Sequence, residues 1–303
     1  MPQRNSTDGV ARALVPGLNL KVSVVVASAA AREARALHRL QTAAASLLGQ
    51  ALAGAALIAS LQKDNSRINL QLECDGALRG LLVDASASGD VRGYVKNPHV
   101  SVELAEGAFR WRGALGNSGF LSVLRDVGEG EFYRSSVELT AMALADDLNK
   151  YFEVSDQVMT RMALDVVAEP DEPLSILAGV LIQALPDGDV KALEKLGAEL
   201  PERLRAAVNG PAGLRVTPES VLTAVCAELS PQIMMIGPLQ WKCTCSKEKV
   251  LSTLAALGRA EVQDIFDTQG SAAVTCQFCS TRHEATFHDL VALLESLGAT
   301  PRN

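Results

Sequence analysis

Four of the chain's six cysteines fall in two tight pairs, Cys243-Thr244-Cys245 and Cys276-Gln277-Phe278-Cys279, with thirty residues between them. Two pairs of closely spaced thiols, joined by enough chain to fold back, are what a tetrahedral Zn²⁺ site requires. Each pair supplies two ligands, and the intervening segment closes the cage. Cys243, Cys245, Cys276 and Cys279 are therefore the candidate ligands of one zinc ion per chain. Four thiols that merely packed in a core would have no reason to come as two close pairs.

Zinc thiolates contribute about 10–16 kcal/mol of folding free energy in small domains. Oxidation of the sulfurs removes the ligands and that stabilisation with them. The metal joins positions more than thirty residues apart, a loop that constrains the unfolded chain by about 4 kcal/mol, whereas a three-residue loop constrains it by less than half as much. Disulfides formed within each pair would thus not hold the domain together once the metal left. The spacing permits a redox switch, and it equally permits a purely structural zinc in a constitutive interaction module.

Other chemistries fit less well. A nucleic-acid-binding ribbon needs a basic surface, but residues 241–303 carry six Lys/Arg against seven Asp/Glu. A thioredoxin-type C-x-x-C opens a helix after a strand, whereas Cys279 is followed by the strand-like Ser280-Thr281-Arg282-His283-Glu284. His283-Glu284-Ala285-Thr286-Phe287-His288 nearly spells a zinc-protease helix, yet its histidines are five apart and would not share a helix face. His38 and His99 stand alone and are expected at the surface or in turns. Gly128-Glu129-Gly130 reads as a turn, and no Walker loop, nucleophile elbow or dinucleotide fingerprint is present. The chain is not expected to be an enzyme; a thiol oxidoreductase would have to show turnover of a disulfide substrate.

The totals agree with a protein that needs no disulfide scaffold. At 303 residues, 48% hydrophobic, with mean hydropathy +0.14 and net charge -7, it can bury a large core and has no global attraction to nucleic acid or an anionic membrane. Met1 to Asp8 is polar, without the apolar core of a signal peptide, so the expected location is the cytoplasm, where thiols stay reduced. Residues 40–62 are uncharged over a span long enough for a bilayer, but rich in Ala, Gly, Ser, Thr and Gln. A buried, tightly packed helix is expected there, not a membrane span.

The elements that must carry the cysteines can be read in order. Leu20 to Val26 is a β-branched strand. Ser28 is expected to cap a helix that runs through Ala29 to Leu40 and on toward Leu61, with Gly49 and Gly54 as weak points. Ile68 to Cys74 alternates strictly, Asp75-Gly76 turns, and Leu78 to Val83 returns, which makes Cys74 a core thiol. Val91 to Val95, Gly119 to Arg125, Glu131 to Leu139, Val158 to Val167 and Leu174 to Leu185 are further strands. Leu144 to Phe152 is a helix with Leu144, Leu148, Tyr151 and Phe152 on one side. From Val190 to Leu229 the period is helical, Thr217-Pro218-Glu219 starts a helix, and Cys226 lies among its apolar residues. The apolar Ile233-Met234-Met235-Ile236 follows. The terminal region has a helix from Lys247 to Leu257 capped by Ser246, a short helix near Glu261 to Phe266, strands Ala272–Thr275 and Glu284–Phe287, and a last helix from Asp289. Its expected core is Val250, Leu254, Ile265, Phe278, Phe287, Leu290 and Leu294. The fold class is α+β: a mostly antiparallel sheet domain with packed helices over 1–188, a helical linker over 189–237, and a small zinc-binding α/β domain over 238–303.

The chain resembles the heat shock protein 33 family of bacterial, redox-regulated holdase chaperones. The resemblance runs from about Leu20 to Leu297 and is most specific at Lys242-Cys243-Thr244-Cys245 with Cys276-Gln277-Phe278-Cys279. Asp90-Val91-Arg92-Gly93-Tyr94-Val95, Ala145-Asp146-Asp147-Leu148 before Tyr151-Phe152, and Leu181-Ile182-Gln183-Ala184-Leu185-Pro186 support it. The chain departs from the family at Thr140-Ala141-Met142-Ala143, Ser155-Asp156-Gln157 and Ala178-Gly179. The resemblance implies an ATP-independent chaperone held inactive by zinc on the four reduced cysteines. It implies activation by oxidation to the disulfides Cys243–Cys245 and Cys276–Cys279 with release of the metal, a homodimer as the active form, and unfolding client proteins as partners.

Overall fold

Two helices, α1 (Ser28–His38) and α2 (Thr42–Ser60), fill the uncharged stretch. The chain breaks between them at Arg39, which takes a left-handed conformation (φ 50°). The glycines expected as weak points lie inside the continuous α2. An added Cβ would meet Leu177 and Ala31 at Gly49, and Leu148 at Gly54, so both are small because neighbours pack closely there. Ser28 is the first residue of α1, and its Oγ accepts from the Leu177 amide. The first turn is instead capped from a distance by Asp8, whose carboxylate oxygens accept from the amides of Ala29 and Ala30.

The computed structural model describes residues 6–62, 66–101, 104–105, 108–109, 111–126, 131–169, 172–210 and 215–298. Around the two helices the chain forms β1 (Gly9–Val15), β2 (Leu20–Val26), β3 (Arg67–Cys74), β4 (Gly80–Ser86), β5 (Asp90–Val95), β6 (Leu104–Ala105), β7 (Ala108–Phe109), α3 (Arg112–Leu115), β8 (Gly119–Asp126), β9 (Phe132–Glu138), α4 (Leu144–Tyr151), β10 (Thr160–Glu169) and β11 (Glu172–Ala184). Then come α5 (Val190–Val208), α6 (Pro218–Val225), β12 (Gln232–Pro238) and β13 (Gln240–Trp241). The Gly128-Glu129-Gly130 turn lies outside the described residues. The return strand after Asp75 starts at Gly80 instead of Leu78, because Asp75 accepts from the amides of Asn117 and Ser118, which widens the turn.

The strands make two large sheets, β10-β11-β2-β1-β12 and β13-β5-β4-β3-β8-β9, antiparallel apart from the short β13–β5 pairing. The fold is α+β. Helix α2 packs against strands of both sheets, and every residue from Ala43 to Ser60 is buried. A helix apolar on all sides needs such an all-round environment, and 94% of the bilayer-length window here lies inside the protein. The five-stranded sheet is covered on its other face by α5 and α6, whose Leu193, Leu196, Leu200, Leu204, Val221 and Leu222 pack on β2 and β11 residues and enclose Cys226. Two covered faces explain why β2 reads as a nearly unbroken apolar run. The six-stranded sheet has one solvated face, where Asn69, Asp84 and Arg92 bond to one another, and so its strands alternate. Cys74, at the end of β3, is half buried against the core.

The helical period from Val190 resolves into α5 and α6 and gives way to a strand. Thr217 caps α6 in a reciprocal box with Ser220, with Pro218 at the first helical position. The apolar 233–236 stretch lies in β12, which pairs with β1 at the sheet edge (Gly9 opposite Pro238) and leaves Ile233, Met234 and Ile236 48–63% exposed.

The chain divides into two compact units, Met1–Lys242 and Cys243–Asn303. The second contains α7 (Lys247–Leu257), α8 (Arg259–Gln269), the hairpin β14 (Ala272–Thr275) and β15 (Arg282–Ala285), and α9 (Phe287–Gly298). Its buried core is small: Leu254, Val262, Ala285, Leu290 and Leu294. Phe278 and Phe287, expected in that core, are not among its buried residues. Phe287 opens α9 instead of ending a strand, and is 52% exposed against Phe266.

Candidate metal centre

Each cysteine pair sits where the local chain is already turning. Cys243 and Cys245 precede α7, whose cap, Ser246, accepts from the Lys249 amide. The Lys249 ammonium folds back onto the Thr244 hydroxyl at 3.0 Å, fixing the residue between the two thiols. Cys276 and Cys279 occupy the turn of the β14–β15 hairpin. There the Cys276 amide donates to the Thr281 carbonyl (2.9 Å), the Ser280 amide donates to the Cys276 carbonyl (2.8 Å), and Ser280 is left-handed (φ 58°). This tight knuckle turns the amides of Phe278 and Cys279 toward the Cys276 sulfur and the Thr281 amide toward the Cys279 sulfur.

The four Sγ atoms converge, all within 4.8 Å of one another. Cys243 and Cys276 approach to 3.7 Å, and Cys245 and Cys279 to 3.4 Å. A zinc–sulfur distance of about 2.3 Å puts tetrahedrally arranged sulfurs about 3.8 Å apart, so the donor set and its spacing suit zinc. All six cysteines are free thiols in this structure.

The crowding sets the protonation of the cluster. Burial, then the hydrogen bonds that the Cys245 thiol donates to the other three sulfurs, push Cys245 strongly upward. Burial likewise raises Cys276, against the pull of its two amide donors. At Cys279 burial also pushes upward, but the Thr281 hydroxyl and amide and the neighbouring thiols more than offset it, and the thiol falls to about 7. Four thiolates in this space would repel one another, and a divalent cation at their centre removes that penalty. The two remaining cysteines lie elsewhere: burial raises Cys74, and raises Cys226 to about 11. Both are poor nucleophiles.

His283, which with His288 makes only a near-miss helical motif in the sequence, belongs to the site: its Nε2 lies 3.1 Å from the Cys245 sulfur. The signal that could have found it is the strand period. Thr281 and His283 are two apart on an extended segment leaving the second cysteine pair, so both face the same side. Thr281 Oγ1 lies 3.3 Å from the Cys279 sulfur. His288 is exposed and meets the Phe287 ring.

Comparison with known proteins finds the likeness over nearly the whole chain. The sequence pattern of the family described as "Hsp33 protein" matches residues 8–286. The 33 kDa chaperonin of Gloeobacter violaceus is 34% identical over 96% of this chain and 96% of its own length. That of Enterococcus faecalis is 30% identical over 94% of this chain and 96% of its own. Among solved structures, the 33 kDa chaperonin (heat shock protein 33 homolog) of Thermotoga maritima superposes with a TM-score of 0.76 at 28% identity, covering 95% of this chain and 98% of that one.

Proposed function

Since this chain belongs to the Hsp33 family of chaperones, we propose that it is a redox-regulated, ATP-independent holdase of the cytoplasm whose switch is the four-sulfur cluster. In the reduced state Cys243, Cys245, Cys276 and Cys279 hold one zinc ion per chain, and the protein is inactive. A peroxide or hypochlorite, under unfolding conditions, takes two electrons from each pair, giving the disulfides Cys243–Cys245 and Cys276–Cys279. The zinc then has no ligands and leaves. Neither disulfide spans more than four residues, so the thin core of residues 238–303 is left without its cross-link.

The segment 189–237 is the linker of this scheme. It carries the apolar residues of α5 and α6 that cover one face of the five-stranded sheet, and the exposed side chains of β12. Loss of structure in that segment would uncover a large apolar area for unfolding clients, and the active form is a homodimer. The observation that carries the proposal is the convergence of four Sγ atoms, from two distant pairs, within 4.8 Å.

The test starts from reduced, zinc-loaded protein at heat-shock temperature with an aggregating client. On addition of peroxide, zinc appearing on a chelating dye and the loss of light scattering from the client are expected to run together. Zinc release without suppression of aggregation refutes the switch. Cys243→Ser and Cys276→Ser are expected to be active without oxidant; a zinc site that only holds the domain together would instead leave both variants inactive.

A further inference from the structure

A metal-bound thiolate sulfur can accept a hydrogen bond but not donate one. In the metal-loaded site His283 must therefore present Nε2–H to Cys245, and the Thr281 hydroxyl must donate to Cys279. The distances, 3.1 and 3.3 Å, suit N–H···S and O–H···S bonds. The two acceptors come from different cysteine pairs and are themselves 3.4 Å apart. The hairpin register holds both donors in place, with Thr275 opposite Arg282 and Val274 opposite His283. The mutually close set of ligand atoms comprises the four sulfurs, so the imidazole stands behind Cys245 and is not itself one of that set.

We propose that His283 and Thr281 are positioning residues that set the oxidant threshold of this centre, by drawing charge from the Cys245 and Cys279 sulfurs. The proposal rests on the switch described above and adds what tunes it. In the first oxidative step a thiolate lone pair attacks one oxygen of hydrogen peroxide, the O–O bond breaks, and a sulfenic acid and hydroxide form. The neighbouring thiolate of the same pair then attacks that sulfur, the S–O bond breaks, and a disulfide and a second hydroxide result. Two thiolates lose two electrons and one peroxide gains them. The attacking lone pair is the one that His283 or Thr281 engages, so the hydrogen bond must weaken on the way to the transition state. Neighbours that hydrogen-bond a metal ligand tune it in this manner.

The experiment uses the full chain with His283→Phe, His283→Gln and Thr281→Val. Each variant is loaded with cobalt for spectroscopy, and separately with zinc for peroxide-driven release into a chelating dye. In H283F the sulfur-to-cobalt charge-transfer band is expected at longer wavelength, because the sulfur has become more electron-rich. Zinc release is expected to be about three- to ten-fold faster, the share of a charge-assisted hydrogen bond lost at the transition state. T281V is expected to move both readouts the same way, and H283Q, which retains an N–H donor, to lie near the parent. Unchanged or slower release in H283F, or an H283Q that behaves like H283F, overturns the proposal. If H283F takes up no metal, T281V decides alone: a parental band and rate there overturn it. These readouts do not involve a client, so a failure of the chaperone scheme would show as zinc release without holdase activity and leave the comparison among variants intact.

Discussion

Away from the heat-shock and unfolding conditions that the switch requires, removal of the metal is expected to unfold residues 243–303 while leaving residues 1–242, the linker included, folded. The second unit has about sixty residues, and a domain of that size has a net stability of roughly 3–9 kcal/mol. Its large buried side chains are Leu254, Val262, Leu290 and Leu294, each contributing about 1.5–3 kcal/mol by burial. The sum, roughly 6–12 kcal/mol, is comparable to or smaller than the ~10–16 kcal/mol that a structural zinc supplies. Subtracting the metal therefore exceeds any plausible net stability of this unit. The first unit draws on two extensive apolar clusters, around α2 and beneath α5 and α6, and has no part in the sulfur cage. The assay is chelation of the reduced protein followed by limited proteolysis and far-ultraviolet circular dichroism. Cleavage should begin within 243–303 and stop at a resistant fragment near residues 1–242. Continued protection of the α7–α9 region after the metal is gone would refute the reasoning, since the small core would then suffice.

Two further perturbations test the scaffold. Asp147 is fully buried, and its carboxylate accepts from the amides of Thr140, Ala141 and Ala143, holding the entry to α4. Asp147→Ala strands these donors and is expected to destabilise the first unit by ~2–4 kcal/mol in urea unfolding; a loss below half a kcal/mol would contradict that account. In the second unit Asp289 is held down to about 2, first by the Lys247 ammonium and then by the Thr286 hydroxyl and amide. A carboxyl whose folded value lies below its unfolded one stabilises at neutral pH, and that contribution fades as pH falls from about 4 through about 2. An Asp289 carboxylate that titrates by NMR at its ordinary value would remove this link between the starts of α7 and α9.

Much of this was legible because each relevant signal was local. The cysteine pairs, the Ser246 cap, the Thr217-Pro218 helix start and the alternation of β3 are all encoded within a few neighbouring residues, and the structure places the four sulfurs together. What escaped depends on contacts across the chain. Asp8 caps a helix twenty residues away, so Ser28 looked like the cap. Arg39 breaks the α1–α2 segment with no Gly or Pro to announce it, while the two glycines that looked like breaks are accommodations to Leu177 and Leu148. Ile233 to Ile236 gave an apolar run without a partner, and the partner, β1, lies at the other end of the chain. His283 was hidden because its role is set by which side of a hairpin it faces, not by its distance in sequence from His288.

The helix at the centre of the larger unit has a consequence for synthesis. Its composition would satisfy a bilayer, and the strand β11 that shields it ends at Ala184, more than a hundred residues later. At a translation rate of about 5–20 residues per second, that surface waits roughly 6–25 s on the ribosome before its cover is complete. During that interval the nascent protein carries an uncharged, largely apolar segment whose full burial has to wait for β11.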